Sequence, residues 1–420
     1  MEILSTGEKI KRIRVYNGVT LKELCGDKIS ISKMSCIENG KIEADDAILE
    51  YISEKLNIDF VYLAKSVYEQ IEDNVKLIET NLNGKNYEKE LKFNLEYAVE
   101  YGNISQSIRI VNKLFKYYKK NKKWNSISDI VPVYYDLYSK AENVEDRLVY
   151  LYDLGSYLFQ NEEFEEAKVY FKRIKECMEK NNLQEEEFFV KICLEIAKCL
   201  MKIEKNEEAE EYINLAVTKI NNIKTEDIVC ELYHVSTIKN IIMKQYSKDN
   251  KEKAYELAKD DVYKLVKMKI DYVKAYFRAF NEREARIVID EIIEIMPKEN
   301  NEKCAEEFVK FLKILKQYNQ LDYIKKIIEI ALNIAIVTDD VTLIEFSYYL
   351  KGCLLEEAKK YDEAEMNLNL SLDALTRFGT KRDFYNRYLD LGNLYHKLGN
   401  IKESVRYFCL AMDIKKKCNC

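Results

Sequence analysis

Apolar residues recur every three or four positions along almost the whole chain, and the breaks between these stripes are short. That period is the mark of amphipathic helices, and it predicts an all-α protein. The first stripe, Gly7 to Tyr16, has Ile10, Ile13 and Val15 as its apolar set, with Lys9, Lys11, Arg12 and Arg14 on the other faces. Asn17-Gly18 ends it, since both residues tolerate a left-handed cap. Thr20 with Glu23 three residues on is a capping box for a second helix, whose buried side is Leu21, Leu24 and Cys25. Gly26-Asp27 breaks that helix, and Ser30 caps a third that runs to about Asn39 and stops at Gly40. Met34 and Ile37 face inward on it, which leaves Ile31, Ser32, Lys33, Ser35 and Cys36 outside. A fourth stripe, Ala44 to Leu56, closes a small core with Ile48, Ile52 and Leu56. Two short helices joined tightly, the second with a polar cap, describe a helix-turn-helix. Residues 59–82 continue as a helix, and Asn83-Gly84-Lys85-Asn86 is the clearest boundary in the chain.

Beyond Asn86 the pattern repeats. Its unit has a small residue on one helix with an aromatic three later, another small residue twelve after the first on the next helix, an aromatic or aliphatic residue four further on, and a small residue three beyond that. The best copy is Tyr388, Leu391, Gly392, Tyr395, Gly399, Ser404, Phe408 and Ala411. Others are built on Gly155 with Ala167, Ala197 with Ala209, Val273 with Ala285, and Gly352 with Ala364. Weaker ones sit at Leu95, Ala98, Ser107, Val111 and Leu114, and at Leu312, Leu315, Ile324, Ile328 and Ala331. This is the tetratricopeptide pattern. The expectation is seven or eight helix pairs stacked into a right-handed superhelix, with an inner face made by the first helix of each pair. The domains are then 1–65 helix-turn-helix, 66–86 linker helix and 87–420 repeats. Inner-face positions include Tyr152 and Ser156, Lys198, Lys274 and Phe277, Tyr349, and Asn386, Asn393 and His396. Asn393 is the sharpest candidate for holding a peptide backbone, because an amide both donates and accepts.

Composition narrows the chemistry. Two prolines and 11 glycines in 420 residues suit long helices with short turns. A net charge of −6, with ten Lys/Arg against eleven Asp/Glu in residues 1–65, means that DNA affinity must come from charge arrangement and dimerisation. The 11 cysteines form no paired CxxC framework, and His234 and His396 stand far apart, so neither a metal site nor another cofactor is expected. Cys418 and Cys420 make only a terminal CxC. No apolar run reaches membrane-spanning length and the N-terminus lacks a signal-peptide core, so a cytoplasmic protein with no membrane partner is expected. Walker A, HExxH, G-x-S-x-G and GxGxxG motifs are absent, which argues against an enzyme.

Residues 7–64, with IENGK after the third helix, resemble the lambda-repressor-like helix-turn-helix family. That resemblance implies base-edge contacts by Ile31, Ser32, Ser35 and Cys36 with Lys33 beside them, and phosphate contacts by Asn39 and Lys41. Arg14 and Glu38 match a family pair tying the first helix to the third. One departure is Leu21, where the family often carries a phosphate-binding Gln. Head, linker helix and long repeats together resemble the peptide-responsive regulators of Gram-positive bacteria (the Rap, Rgg, NprR, PlcR and PrgX group). The opening MEILSTGEKIKRIRVYNGVTLKELCGDKISISKMSCIENGKI and the late NLSLDALTRFGTKRDFYNRYLDLGNLYHKLG are most similar to clostridial regulators of sporulation and toxin genes. The resemblance implies a cytoplasmic homodimer that binds promoter double-stranded DNA and a short signalling peptide, and that in some members also holds a phosphorelay protein. The alternative is an interaction module that sequesters or dephosphorylates a phosphorelay response regulator and has no DNA-binding role.

Overall fold

The computed structural model describes residues 2–80, 86–121, 123–245 and 248–418. Among these residues it contains helices and no strand. The chain divides into two compact units, Met1–Gln184 and Glu185–Cys420. The composition shift at residues 83–86 therefore does not mark the division into units; Leu82, Asn83, Gly84 and Lys85, like the terminal Cys420, lie outside the described residues.

The first unit opens with a five-helix head: α1 (Thr6–Tyr16), α2 (Leu21–Cys25), α3 (Ile31–Glu38), α4 (Asp46–Leu56) and α5 (Phe60–Ala64). Ser5 with Glu8 and Thr20 with Glu23 form reciprocal capping boxes. Ser30 accepts from the Lys33 amide at 3.1 Å, so the polar residues before each stripe do start the helices. Ile10, Leu24, Met34 and Ile52 fill the centre of the head. Gly7 lets α1 meet α3, because a Cβ there would fall 2.2 Å from the Ile37 carbonyl oxygen.

Two assignments on α1 need correction. Val15 is 61% exposed and Lys9 is buried. Val15 lies about 140° around the helix from Ile10, whereas Lys9 lies only about 40° from Ile13. The Lys9 ammonium donates to the carbonyl oxygens of Tyr62, at 2.9 Å, and Lys65, and so closes the carbonyl end of α5.

The first unit continues with α6 (Val67–Glu79), α7 (Tyr87–Glu100), α8 (Ile104–Lys120), α9 (Trp124–Lys140), α10 (Val144–Gln160) and α11 (Phe164–Lys180). The segment expected to be a linker helix is packed rather than free. α6 buries Val67, Ile71, Val75 and Ile78 and lies against α7. It is also tied to α8, since Gln106 donates to the Tyr68 carbonyl at 3.0 Å and Arg109 to the Tyr68 hydroxyl at 2.9 Å. α8 in turn packs on α9 and α10 and is buried on several sides, as the first helix of a pair is. The copy read across α7 and α8 therefore straddles two pairs, α6–α7 and α8–α9.

The second unit holds α12 (Glu186–Lys202), α13 (Asn206–Thr218), α14 (Glu226–Ile242), α15 (Lys248–Ala258), α16 (Val262–Arg278), α17 (Glu282–Ile295), α18 (Glu302–Gln317), α19 (Leu321–Thr338), α20 (Val341–Glu357), α21 (Tyr361–Leu375), α22 (Lys381–Lys397) and α23 (Ile401–Cys418). They pair in order. With those of the first unit they make nine antiparallel pairs among the described residues, more than the seven or eight expected. Along α12, α14, α16, α18 and α20 the first helices pack side by side, while second helices chiefly meet the first helix of the next pair.

The turn inside each pair from α10–α11 onward is the same device. A left-handed residue stands seven after the small position: Glu162, Glu204, Lys244, Phe280, Asn319, Lys359 and Gly399. The next amide then bonds back to the carbonyl five residues earlier, from Lys205 to Leu200 at 2.9 Å and from Gln320 to Leu315 at 2.8 Å, for example. This is the Schellman closure, and the second helix starts after three residues in all of these pairs except α14–α15, whose helices stand five residues apart.

Candidate functional sites

The outward face of α3 is built from its register. Met34, Ile37 and Glu38 are buried, so Ile31, Ser32 and Lys33 are left exposed, with Ile31 at 50%. Ser35 and Cys36 are half-buried, while Asn39 and Lys41 are exposed. The Asn39 amide donates to the Ser35 carbonyl at 2.8 Å and finishes the helix, and Lys33 lies 3.8 Å from Asp45. Leu21 is half-buried and packs on the head core, so that position is used for packing.

Arg14 forks onto Glu38, with Nε to Oε1 at 2.6 Å and the second nitrogen to Oε2 at 3.0 Å, and also donates to the Val19 carbonyl at 2.9 Å. The hydrogen bond to Glu38 raises the Arg14 pKa further. The head is also bonded to the helices that follow it. Gln70 of α6 donates to the Leu4 carbonyl at 2.8 Å, and the Tyr101 hydroxyl donates to Glu8 at 3.0 Å. A cleft of about 880 Å³ beside this contact is lined by Glu8, Asn39, Gly40, Tyr101 and Asn103 among others.

The expected peptide-contacting residues fall into three kinds. Some are already engaged. Tyr152 packs on Phe171 with ring centroids 6.0 Å apart, and the Ser156 hydroxyl accepts from Lys119 at 2.8 Å. Lys198 is clamped by Glu195, at 3.2 Å, and Glu231; burial pulls its pKa down, but the two carboxylates lift it above the usual range. Phe277 is stacked on Tyr318 at 4.3 Å against the core of the second unit. These four shape the inner layer more than they offer free groups.

Others are open. Lys274 is half-buried with no carboxylate within 4.0 Å among the described residues, and Asn386, Asn393 and His396 are exposed on α22. The third kind is Tyr349, whose ring has the Lys316 ammonium 3.6 Å from its centroid and the Arg387 guanidinium 3.4 Å from it. Neither cation was among the expected residues. Lys316 was legible, since it holds in its pair the place that Phe277 and His396 hold in theirs. Arg387, one residue past Asn386, was not. A second polar cluster joins α14 to α16, where His234 Nε2 lies 3.4 Å from Asp271. Burial raises the Asp271 pKa, but His234, Lys267 and Lys202 bring it below the usual range.

Among the described residues no group of histidine, cysteine and acidic side chains is arranged to hold a metal ion, and no helix is long and apolar enough to cross a membrane.

The tetratricopeptide repeat family matches residues 385–418, which are α22 and α23. No curated protein matches the chain significantly. Among solved structures, the chain is similar to PlcR of Bacillus thuringiensis in complex with the peptide PapR7 and DNA. That likeness has 19% identity and a TM-score of 0.32, over 69% of this chain and 99% of that one. It is similar to the apo quorum sensor NprR of B. thuringiensis at 12% identity and a TM-score of 0.45, over 83% and 98%. A Rap protein complexed with Competence and Sporulation Factor is 13% identical with a TM-score of 0.45, over 83% and 96%.

Proposed function

We propose that this chain is a cytoplasmic, homodimeric transcriptional regulator. It binds promoter DNA through α3 and a short signalling peptide along the first helices of its repeats, and it acts on sporulation and toxin genes. The observation that carries the reading is the exposed Ile31-Ser32-Lys33 turn on a head whose first and third helices are locked by Arg14 and Glu38. A fixed helix with small polar residues outward is what insertion into a major groove requires. The sequence resemblance to peptide-responsive regulators supports the peptide. The bonds from Tyr101 to Glu8 and from Gln70 to Leu4 support mechanical coupling between head and repeats.

Peptide binding shifts the balance between two arrangements of the repeats. A coupling of about 1–3 kcal/mol changes promoter affinity roughly 5- to 150-fold. The test is genome-wide DNA occupancy of the full chain, of a chain lacking residues 1–65, and of a Ser32→Glu, Ser35→Glu variant. Occupancy by the full chain alone supports the reading, and equal patterns from all three defeat it.

A second reading is favoured by the near balance of charge in residues 1–65 and by Leu21 in place of a phosphate-binding Gln. Under it the repeats sequester or dephosphorylate a phosphorelay response regulator, and the head binds no DNA. Co-purification with a response regulator, unchanged by the α3 substitutions, is its signature.

A further inference from the structure

The buried and half-buried lysines of the second unit that line up with carboxylates show what the fold does with a cation. Lys198, Lys239 and Lys269 each close on a glutamate. Lys316 does not. It is half-buried on α18, and among the described residues no carboxylate lies within 4.0 Å of its ammonium. Burial pulls its pKa below the usual lysine range. The ammonium rests on one face of Tyr349 and the Arg387 guanidinium on the other, since two cations at 3.6 and 3.4 Å from one centroid cannot share a face.

Arg387 is paired through its terminal nitrogens: it is buried, bonded to Glu345, and 3.4 Å from Asp390, while its Nε has no hydrogen-bond partner among the described residues. Glu345 is held in turn by the Ser371 hydroxyl at 2.8 Å. Arg387 and its acids therefore fix the Tyr349 ring, and the ring props up a cation whose charge has no direct partner. Lys313, one turn earlier on α18, is exposed and also lacks a carboxylate within 4.0 Å among the described residues.

From this geometry we infer that Lys316, seated on Tyr349, is the subsite for a carboxylate of the bound peptide, either its C-terminal group or an acidic side chain. The inference rests on the peptide-binding reading above and adds the chemistry the groove selects. A single carboxylate suits the site better than a phosphate dianion, because Glu345 and Asp390 already make the Lys316–Arg387 cluster formally neutral. A charge-assisted bond to a partly desolvated ammonium is worth about tenfold or more in affinity.

The test uses the full chain and three sets of fluorescent synthetic heptapeptides. One set has neutral side chains and a free C-terminal carboxylate. The second is the same set amidated, and the third is amidated with one internal glutamate. The expected result is about tenfold or tighter binding of either carboxylate-bearing set over the neutral amides. Lys316→Met should erase that gap without weakening neutral-amide binding, and Lys316→Arg should restore it. Which carboxylate-bearing set gains identifies the source of the group. Equal binding of acids and amides by the native chain, or a gap that survives Lys316→Met, overturns the subsite and leaves peptide binding standing. Failure of every set to bind overturns the peptide groove, and the subsite with it.

Discussion

Gly155 on α10 lies directly beneath the ring of Phe171 on α11, so close that a Cβ at Gly155 would stand 2.9 Å from Cε1 and 3.1 Å from Cζ. The same contact recurs between Gly352 and Leu368 and between Gly392 and Phe408, at 2.8 and 2.7 Å. Small against large, sixteen residues apart, is how these pairs close.

Gly155→Ala is therefore expected to destabilise the protein by about 1–3 kcal/mol through overpacking, although alanine is the better helix former by about 1 kcal/mol. Phe171 is fully buried and cannot give way. Gly392→Ala should cost less, because Phe408 is half-buried and has room to swing. Urea unfolding of both variants checks the order; equal costs would mean that the ring is not what resists.

Arg14 and Glu38 predict a larger effect in the head. Arg14→Ala leaves the buried Glu38 carboxylate without its fork, at a cost of about 3–5 kcal/mol. Arg14→Lys should recover only part of it, since one ammonium cannot reach both Glu38 oxygens and the Val19 carbonyl. Amide hydrogen exchange of α1 and α3 reads this out separately from the repeats.

The left-handed turns offer gains. Glu204, Lys244, Phe280 and Lys359 carry side chains at φ between 58° and 64°, where glycine is unstrained. Each replacement by glycine should raise stability by about 0.5–1 kcal/mol, net of the extra freedom it gives the unfolded chain. Phe280→Gly loses little packing, as the ring is 91% exposed. A rise in Tm for single variants, roughly additive in pairs, is the expected outcome.

Two titrations should be visible, and in both stability rises with pH. Hydrogen bonds from Lys123 and Lys92 hold Glu88 down to about 2, from an ordinary 4.5. Its contribution is complete above pH 4.5 and is lost as pH falls towards 2. Glu88→Gln should flatten that part of the acid unfolding curve. Burial, with the nearby Lys65 charge, pulls Lys9 down to about 8 from 10.5, against the opposing pull of Glu69. Between those values the unfolded chain binds the extra proton, so head stability should rise with pH from 8 to 10.5. Lys9→Met should lose that rise; urea midpoints at a series of pH values measure both.

Helix period, the caps at Thr20 and Ser30 and the small-large spacing of the better repeats were all legible, because each depends on residues a fixed number of positions apart; the Arg14–Glu38 pair came from the family resemblance. Two pairs were not. In α8–α9 the small positions hold Phe115 and Ile127, both fully buried. In α14–α15 the corresponding Thr237 and Ala254 stand seventeen apart rather than twelve.

The sequence by itself determined most of the helices, their caps and their apolar stripes, since backbone geometry and burial act over one or two turns, although the single helix expected over 59–82 is broken at Lys65-Ser66 and Val15 is exposed. The tertiary structure alone decided that 67–79 packs as a first helix rather than a tether, that Lys9 is buried, and that Lys316 and Arg387 meet across Tyr349. Those outcomes depend on which helices become neighbours, and residues 316, 349 and 387 carry no mark of one another until the stacking of successive pairs brings their first helices together.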